Sequence, residues 1–186
     1  MALQSPQPPE QSREAAEAGL RLLAGLGRVR TETLLPAAPD ELRLADPVQM
    51  YTVGPAGPLA DAEPVAWRYL VRHGSDAVAL AETVRDASGE HVFSQLNYGP
   101  FVAGTAAALD AASGHTGDAE VRLLHIPAVH LIAVWLHSEA ADALIPAAPA
   151  PPGTEAGRAY PADELLGLLS ASRPPTLAPD DDRGGG

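Results

Sequence analysis

Residues 65–85, VAWRYLVRHGSDAVALAETVR, decide the fold predicted for this chain of 186 amino acids. Residues 65–72 are rich in aromatic and β-branched side chains, which favour strands, and residues 77–85 repeat their larger side chains with a period of two. The HGSD sequence at 73–76 between them has the composition of a tight turn. Residues 77–85 are also compatible with a short helix, but their period of two and the preceding turn favour a strand. The stretch therefore predicts a β-hairpin.

The sequence after the hairpin predicts one more strand and then a helix. A second turn, DASGE at 86–90, leads into a short strand at 91–96. Gly99 and Pro100 are residue types favoured at the N-cap and the first position of a helix, so we expect a helix over 100–112. Small side chains on one face of this helix favour close packing against a sheet.

The longest β-type stretch is AEVRLLHIPAVHLIAVWLH at 119–137. Pro127 interrupts it, and because proline cannot donate a hydrogen bond to a neighbouring strand, we expect a bulge or an edge position there. The alternative is two strands, at 119–126 and 128–137. Either arrangement adds this segment to the sheet that begins with the hairpin.

Short strand patterns at 48–53 and 143–145 complete an α+β fold, with an antiparallel sheet of about four to five strands and one helix packed on a face. Amphipathic helices at 12–26 and 161–171 are expected to flank this sheet. The predicted organisation is a disordered tail at 1–11, an N-terminal helix at 12–30, the α+β domain at 31–145, a Pro-rich linker and C-terminal helix at 146–171, and a disordered tail at 172–186.

The charge and composition exclude several classes of function. The formal net charge is −12, and the twelve basic residues are all arginines scattered along the chain, so we expect no nucleic-acid binding. The absence of cysteine excludes a disulfide scaffold and a thiol enzyme. No apolar run approaches the length of a membrane span, so we expect no membrane insertion. Arginine without lysine, with much alanine, glycine and proline, indicates a GC-rich bacterial source, and no secretory signal is visible, which predicts a cytoplasmic protein.

The sequence offers no catalytic constellation. His125, His130 and His137 invite a metal site, but their spacing along a strand interrupted by proline argues against shared ligation, and we expect no metal and no cofactor. The HGSD turn contains the residue types of a hydrolase triad, yet adjacent turn residues cannot converge as a triad requires. We therefore predict no catalytic residues.

Four polar residues are the candidates for ligand binding in a pocket between helix and sheet: Arg68, Tyr69, Tyr98 and His130. Aromatic rings with a polar edge and basic side chains are typical of ligand sites. The two tryptophans, Trp67 and Trp135, are instead predicted to be core anchors, because the chain has so few aromatic residues.

These observations favour a non-catalytic binding or accessory module of a bacterial protein system, which acts through contacts with another protein made by the flanking helices. One alternative is a small-ligand-binding or enzymatic domain, which requires that the candidate residues converge in one concave site. A second alternative is a structural or assembly subunit, which requires that the chain form a homo-oligomer.

Overall fold

The computed structural model describes residues 3–30, 35–54 and 57–171. The predicted hairpin is confirmed: β2 (Glu63–His73) and β3 (Asp76–Arg85) pair antiparallel, with the turn at 74–75. Gly74 occupies this turn at a φ of 60°, a left-handed conformation that glycine adopts without steric cost. The hairpin buries the centres of both strands, which explains why their sequence pattern is so clear.

Eight strands of the described chain form one sheet in the order β4-β3-β2-β1-β5-β6-β7-β8. The remaining strands are β1 (Leu42–Thr52), β4 (His91–Asn97), β5 (Glu120–Ile126), β6 (Leu131–His137), β7 (Ala143–Pro146) and β8 (Tyr160–Pro161). Strands β1 and β5 are parallel, whereas the other neighbours pair antiparallel. The sheet is therefore mixed.

The α+β class is confirmed, but the predicted antiparallel sheet of four to five strands with one packed helix is wrong. The helix between β4 and β5 carries the chain back across the sheet, so β5 joins β1 from the same direction and not from the opposite one. The stretch at 119–137 also yields two strands, because Pro127 begins a short helical turn that reverses the chain. This confirms the two-strand alternative and lengthens the sheet.

Three α-helices of the described chain cover both faces of the sheet: α1 (Glu10–Gly25), α2 (Pro100–Ser113) and α3 (Ala162–Ala171). Helix α2 packs on one face against residues such as Leu70, Leu80 and Val134. Helix α1 packs on the opposite face over β2 and β3, and α3 packs on that same face over β6 and β7. The structure therefore has three layers: α2, the sheet, and a layer formed by α1 and α3. The prediction of one helix packed on a face of the sheet is wrong in this respect.

The segment at 146–160, predicted as a linker, lies against the domain. The Ala147 amide donates to the carbonyl oxygen of Ile132, which extends the pairing with β6 beyond β7. The backbone of Ala148 then passes directly over Gly104 of α2, where a Cβ atom would lie 1.9 Å from the Ala148 carbonyl oxygen. The glycine therefore fixes how closely this segment approaches the helix.

The N-terminal end of the chain departs from the predicted boundaries. Helix α1 begins at Glu10, two residues before the expected start of the N-terminal helix. Within the segment expected to be a disordered tail, Gln4 forms a parallel bridge with Glu120 through its backbone amide and carbonyl groups. The tail expected at 172–186 lies outside the described residues.

Candidate functional site

The four candidate ligand residues do not gather at one pocket. Arg68 and Tyr69 are consecutive residues of β2, so their side chains point to opposite faces of the sheet. Tyr69 lies on the face covered by α1, where its hydroxyl is 2.7 Å from the hydroxyl of Ser12. Arg68 lies on the face covered by α2. The two residues therefore lie on different faces of the sheet and cannot line the same pocket.

Arg68 belongs to a buried polar cluster. Its Nε donates to an Oε atom of Glu82 at 2.8 Å, and both side chains are 8% exposed. The amide of Gln95 donates to the other carboxylate oxygen of Glu82 at 3.1 Å. The sequence placed Arg68 in a strand but offered no signal for its partner, because Glu82 becomes its neighbour only through the pairing of β2 with β3.

His125 lies within electrostatic reach of this cluster. Burial lowers the pKa of the His125 imidazole, the charges of Arg68 and His130 lower it further, and Glu82 opposes them. His130 follows the turn after Pro127 with a φ of 52°. Of the four predicted residues, Arg68 and His130 are the two whose charges act on the His125 imidazole.

Tyr98 lies elsewhere, beside the end of α1. Its ring is 46% exposed, and its hydroxyl donates to the backbone carbonyl oxygen of Arg28 at 2.9 Å. The sequence predicts this position only as the start of α2. The long-range contact with the residues after α1 comes from the way α1 packs across β4.

Two exposed leucines lie at the C-terminal end of α1, Leu22 in its last turn and Leu26 directly after its last residue. Leu22 and Leu26 are one turn apart and are 64% and 63% exposed, whereas Leu20 and Ala24 on the inner side are buried. The spacing of Leu22 and Leu26 was a signal for a second stripe, but spacing alone does not show which of two stripes faces the sheet.

The surroundings of this stripe are basic. Arg21 and Arg28 are both exposed, and within the described residues neither is paired with a carboxylate. Tyr98 adds an aromatic ring beside Arg28. We call Leu22, Leu26 and Tyr98 the α1 patch. It is apolar and locally positive, on a chain whose formal net charge is −12.

A cavity of about 350 Å³ lies on the same face of the sheet as α1, at the other end of that helix. Gln49, Trp67, Arg85 and His91 line it, together with residues 64–66 at the start of β2. His91 is 9% exposed, and both of its ring nitrogens lack a hydrogen-bond partner among the described residues. His91 was not predictable as a site residue, because a lone histidine at the start of a strand belongs to no recognisable sequence motif.

Between α1 and α3, stacked side chains cover this face of the sheet. The guanidinium of Arg122 lies 4.7 Å from the ring centre of Tyr51 and 4.8 Å from that of Trp135, and it forms a 2.7 Å ion pair with Glu120. Trp135 is 3% exposed and Trp67 is 5% exposed. Both tryptophans are therefore buried in the core, and Trp67 in addition lines the cavity beside His91.

The two histidines with lowered pKa values predict how stability depends on pH. Burial lowers the pKa of His91 and of His125 below the ordinary value of 6.5, and the unfolded chain restores it. Because the unfolded state then binds more protons, the stabilisation is complete above about pH 6.5 and is lost as the pH falls through the lowered values.

We therefore expect urea unfolding to give a lower free energy of unfolding at about pH 5.5 than at about pH 7.5. The His91→Gln variant should show a smaller decrease over the same interval. Equal pH dependence in the variant and the wild-type chain would contradict the assignment to His91.

No known protein provides a function for this chain by similarity. The chain matches no protein-family model, no curated protein and no solved structure. Within residues 3–30, 35–54 and 57–171, no group of three or more acidic or histidine side chains is placed to hold a metal ion. Among the helices in these ranges, none has the length and apolar character needed to cross a membrane. The α1 patch and the His91 cavity are two features of the described residues that could contact a partner or a ligand.

Proposed function

We propose that this protein is a non-catalytic binding module of a bacterial protein system, and that it contacts its partner through the α1 patch. The observation that carries this proposal is the exposure of Leu22 and Leu26, each at more than 60%, at the C-terminal end of a helix whose inner stripe is already buried. Large apolar side chains clustered at a surface are typical of sites that bind another protein.

The patch is held in place by the fold. The inner residues Ala16, Leu20 and Ala24 pack α1 onto the sheet, so the outer stripe is presented on a fixed helix. Tyr98 is anchored by its hydrogen bond to the carbonyl group of Arg28. A rigid presentation lowers the entropy lost when a partner binds, which favours this surface over a mobile loop.

The second flanking helix, α3, uses its apolar stripe to pack on the sheet. Leu165 and Leu169 of α3 are buried against β6 and β7. The apolar stripe of α3 is therefore used within the domain. Of the two flanking helices, we therefore propose that α1 makes the contact with the partner protein.

The charge around the patch indicates the chemistry of the partner. Arg21 and Arg28 flank the two leucines, so an acidic segment is favoured over a basic one. A helix with apolar side chains at i, i+3 or i+4 and i+7 would match the spacing of Leu22 and Leu26. We propose that the partner presents an acidic amphipathic helix.

A second copy of this chain is a weaker match. Two α1 patches would bring Arg21 and Arg28 of one copy against the same residues of the other, and like charges in contact oppose association. The assembly-subunit alternative therefore receives less support than the binding of a different protein.

The experiment is a selection from two displayed libraries of helical peptides. Both carry leucine at i, i+3, i+4 and i+7; one has acidic residues at the remaining positions, and the other has basic residues. We expect binders from the acidic library, and we expect the Leu22→Ser/Leu26→Ser variant to weaken their binding by at least about tenfold, which corresponds to the loss of one buried leucine side chain.

The matched control is Leu168→Ser, which removes a leucine that is 39% exposed on α3. It should leave binding unchanged. Enrichment of the basic library, or binding that survives the Leu22→Ser/Leu26→Ser change, would contradict the proposal. Concentration-dependent dimerisation that the same double change abolishes would favour the assembly subunit.

A further inference from the structure

The cavity lined by His91 is separate from the α1 patch. Its lining offers a positive charge and hydrogen-bond donors. Arg85 is directly opposite His91 in the pairing of β3 with β4, is exposed, and is unpaired with any carboxylate of the described chain. The Gln49 side-chain oxygen accepts a hydrogen bond from the Tyr51 hydroxyl, which leaves the Gln49 amide nitrogen as a donor. No acidic side chain is among the residues that line the cavity.

We propose that this cavity binds a small organic carboxylate that also carries a hydroxyl group. Its volume of about 350 Å³ is at the lower end of the range for small-molecule sites. The guanidinium of Arg85 matches the planar carboxylate with two parallel hydrogen bonds. The Gln49 amide supplies a further donor, and Trp67 and Val65 provide the apolar wall for the carbon skeleton.

His91 is the reason for assigning a hydroxyl group to the ligand. A neutral imidazole has one nitrogen that donates and one that accepts, and a buried polar group without a partner is costly. Burial and Arg85 both lower the pKa of His91, so the ring is neutral near pH 7. A hydroxyl group both donates and accepts, whereas an ammonium group would meet the positive charge of Arg85 without a carboxylate to balance it.

Binding requires that the His91 ring nitrogens become accessible to the ligand. The His91 ring nitrogens are covered from solvent, and the exposed side chain of Arg85 is the cross-strand neighbour of the ring. A rotation of this long side chain towards the carboxylate would open the ring edge to the ligand hydroxyl. Exposed side chains change rotamer in picoseconds to nanoseconds, so this movement does not limit binding.

The test is titration of the full chain with lactate, propionate, lactamide and inorganic phosphate, followed by the ¹⁵N signals of the His91 ring. We expect lactate to shift these signals at the lowest concentration. Propionate lacks the hydroxyl group and leaves the buried His91 ring without its partner, and lactamide lacks the charge that pairs with Arg85. Both should bind at least about tenfold more weakly, within the range expected when a buried polar group is left unpaired or a charged hydrogen bond is lost.

Arg85→Gln should weaken lactate binding at least about tenfold, since the charged donor is lost, and being exposed it should leave the fold intact. Arg43→Gln is the control, because Arg43 is an exposed arginine outside this cavity. Equal binding of lactate and lactamide, or lactate binding unchanged by Arg85→Gln, would overturn the proposal. Tighter binding of phosphate than of lactate would overturn the carboxylate assignment.

Discussion

Replacement of Arg68 by methionine is expected to lower the free energy of unfolding by about 3–5 kcal/mol, because it leaves the Glu82 carboxylate buried without its counter-charge. The two side chains are each 8% exposed and are joined at 2.8 Å. Gln95 remains as a neutral donor to Glu82, which satisfies one oxygen but does not balance the charge. Urea unfolding followed by circular dichroism measures the change.

A second variant separates loss of charge balance from loss of packing. Arg68→Met combined with Glu82→Leu removes both charges, and it should recover most of the lost stability, because an apolar pair of similar volume often replaces a buried ion pair without cost. Arg72→Met is the control on the same strand: its pair with Asp46 is partly exposed, so we expect a loss of at most about 1 kcal/mol. A double variant as unstable as Arg68→Met would contradict the charge explanation.

Gly104→Ala is expected to destabilise the chain by about 3 kcal/mol, at the upper end of what overpacking costs. The added Cβ atom would lie 1.9 Å from the Ala148 carbonyl oxygen, and the neighbouring carbonyl carbon and amide nitrogen of Ala148 are both at 2.7 Å. These are backbone atoms, so the segment at 146–160 must shift as a whole. The gain in helix propensity, about 1 kcal/mol, is too small to offset this.

Gly25→Ala is the matched control. Gly25 is the last residue of α1, and nothing lies within 4 Å of an added Cβ atom there. Thermal unfolding should show Gly25→Ala unchanged or slightly more stable and Gly104→Ala with a clearly lower Tm. Equal melting temperatures of the two variants would mean that Ala148 does not lie against Gly104.

The sequence predicted those parts of the fold that depend on local chemistry. The hairpin of β2 and β3 was predictable because a glycine turn separates two strand-favouring runs, and α2 was predictable from Gly99 and Pro100. The parallel pairing of β1 with β5 was not, because the residues that pair are separated by more than seventy positions, as in Gln49 with Arg122. Strand β8 has two residues, too few for any pattern.

The candidate sites were less predictable than the fold for the same reason. Leu22 and Leu26 look like ordinary helix residues until the packing of α1 shows which stripe is buried. His91 becomes notable only because the pairing of β3 with β4 sets it opposite Arg85, beside a cavity. Sequence patterns identify residue types and elements, whereas a site depends on which elements become neighbours.

The central claim, that α1 presents the contact surface for a protein partner, is tested most directly by site-specific photo-crosslinking in the cell that produces the protein. A photoreactive amino acid replaces Leu22 in one variant and Leu168 in another, and the crosslinked peptides are sequenced. The account predicts one dominant adduct from position 22, none from position 168, and a partner peptide that is an acidic amphipathic helix. Equal adducts from both positions, a basic partner peptide, or an adduct with a second copy of this chain would contradict it.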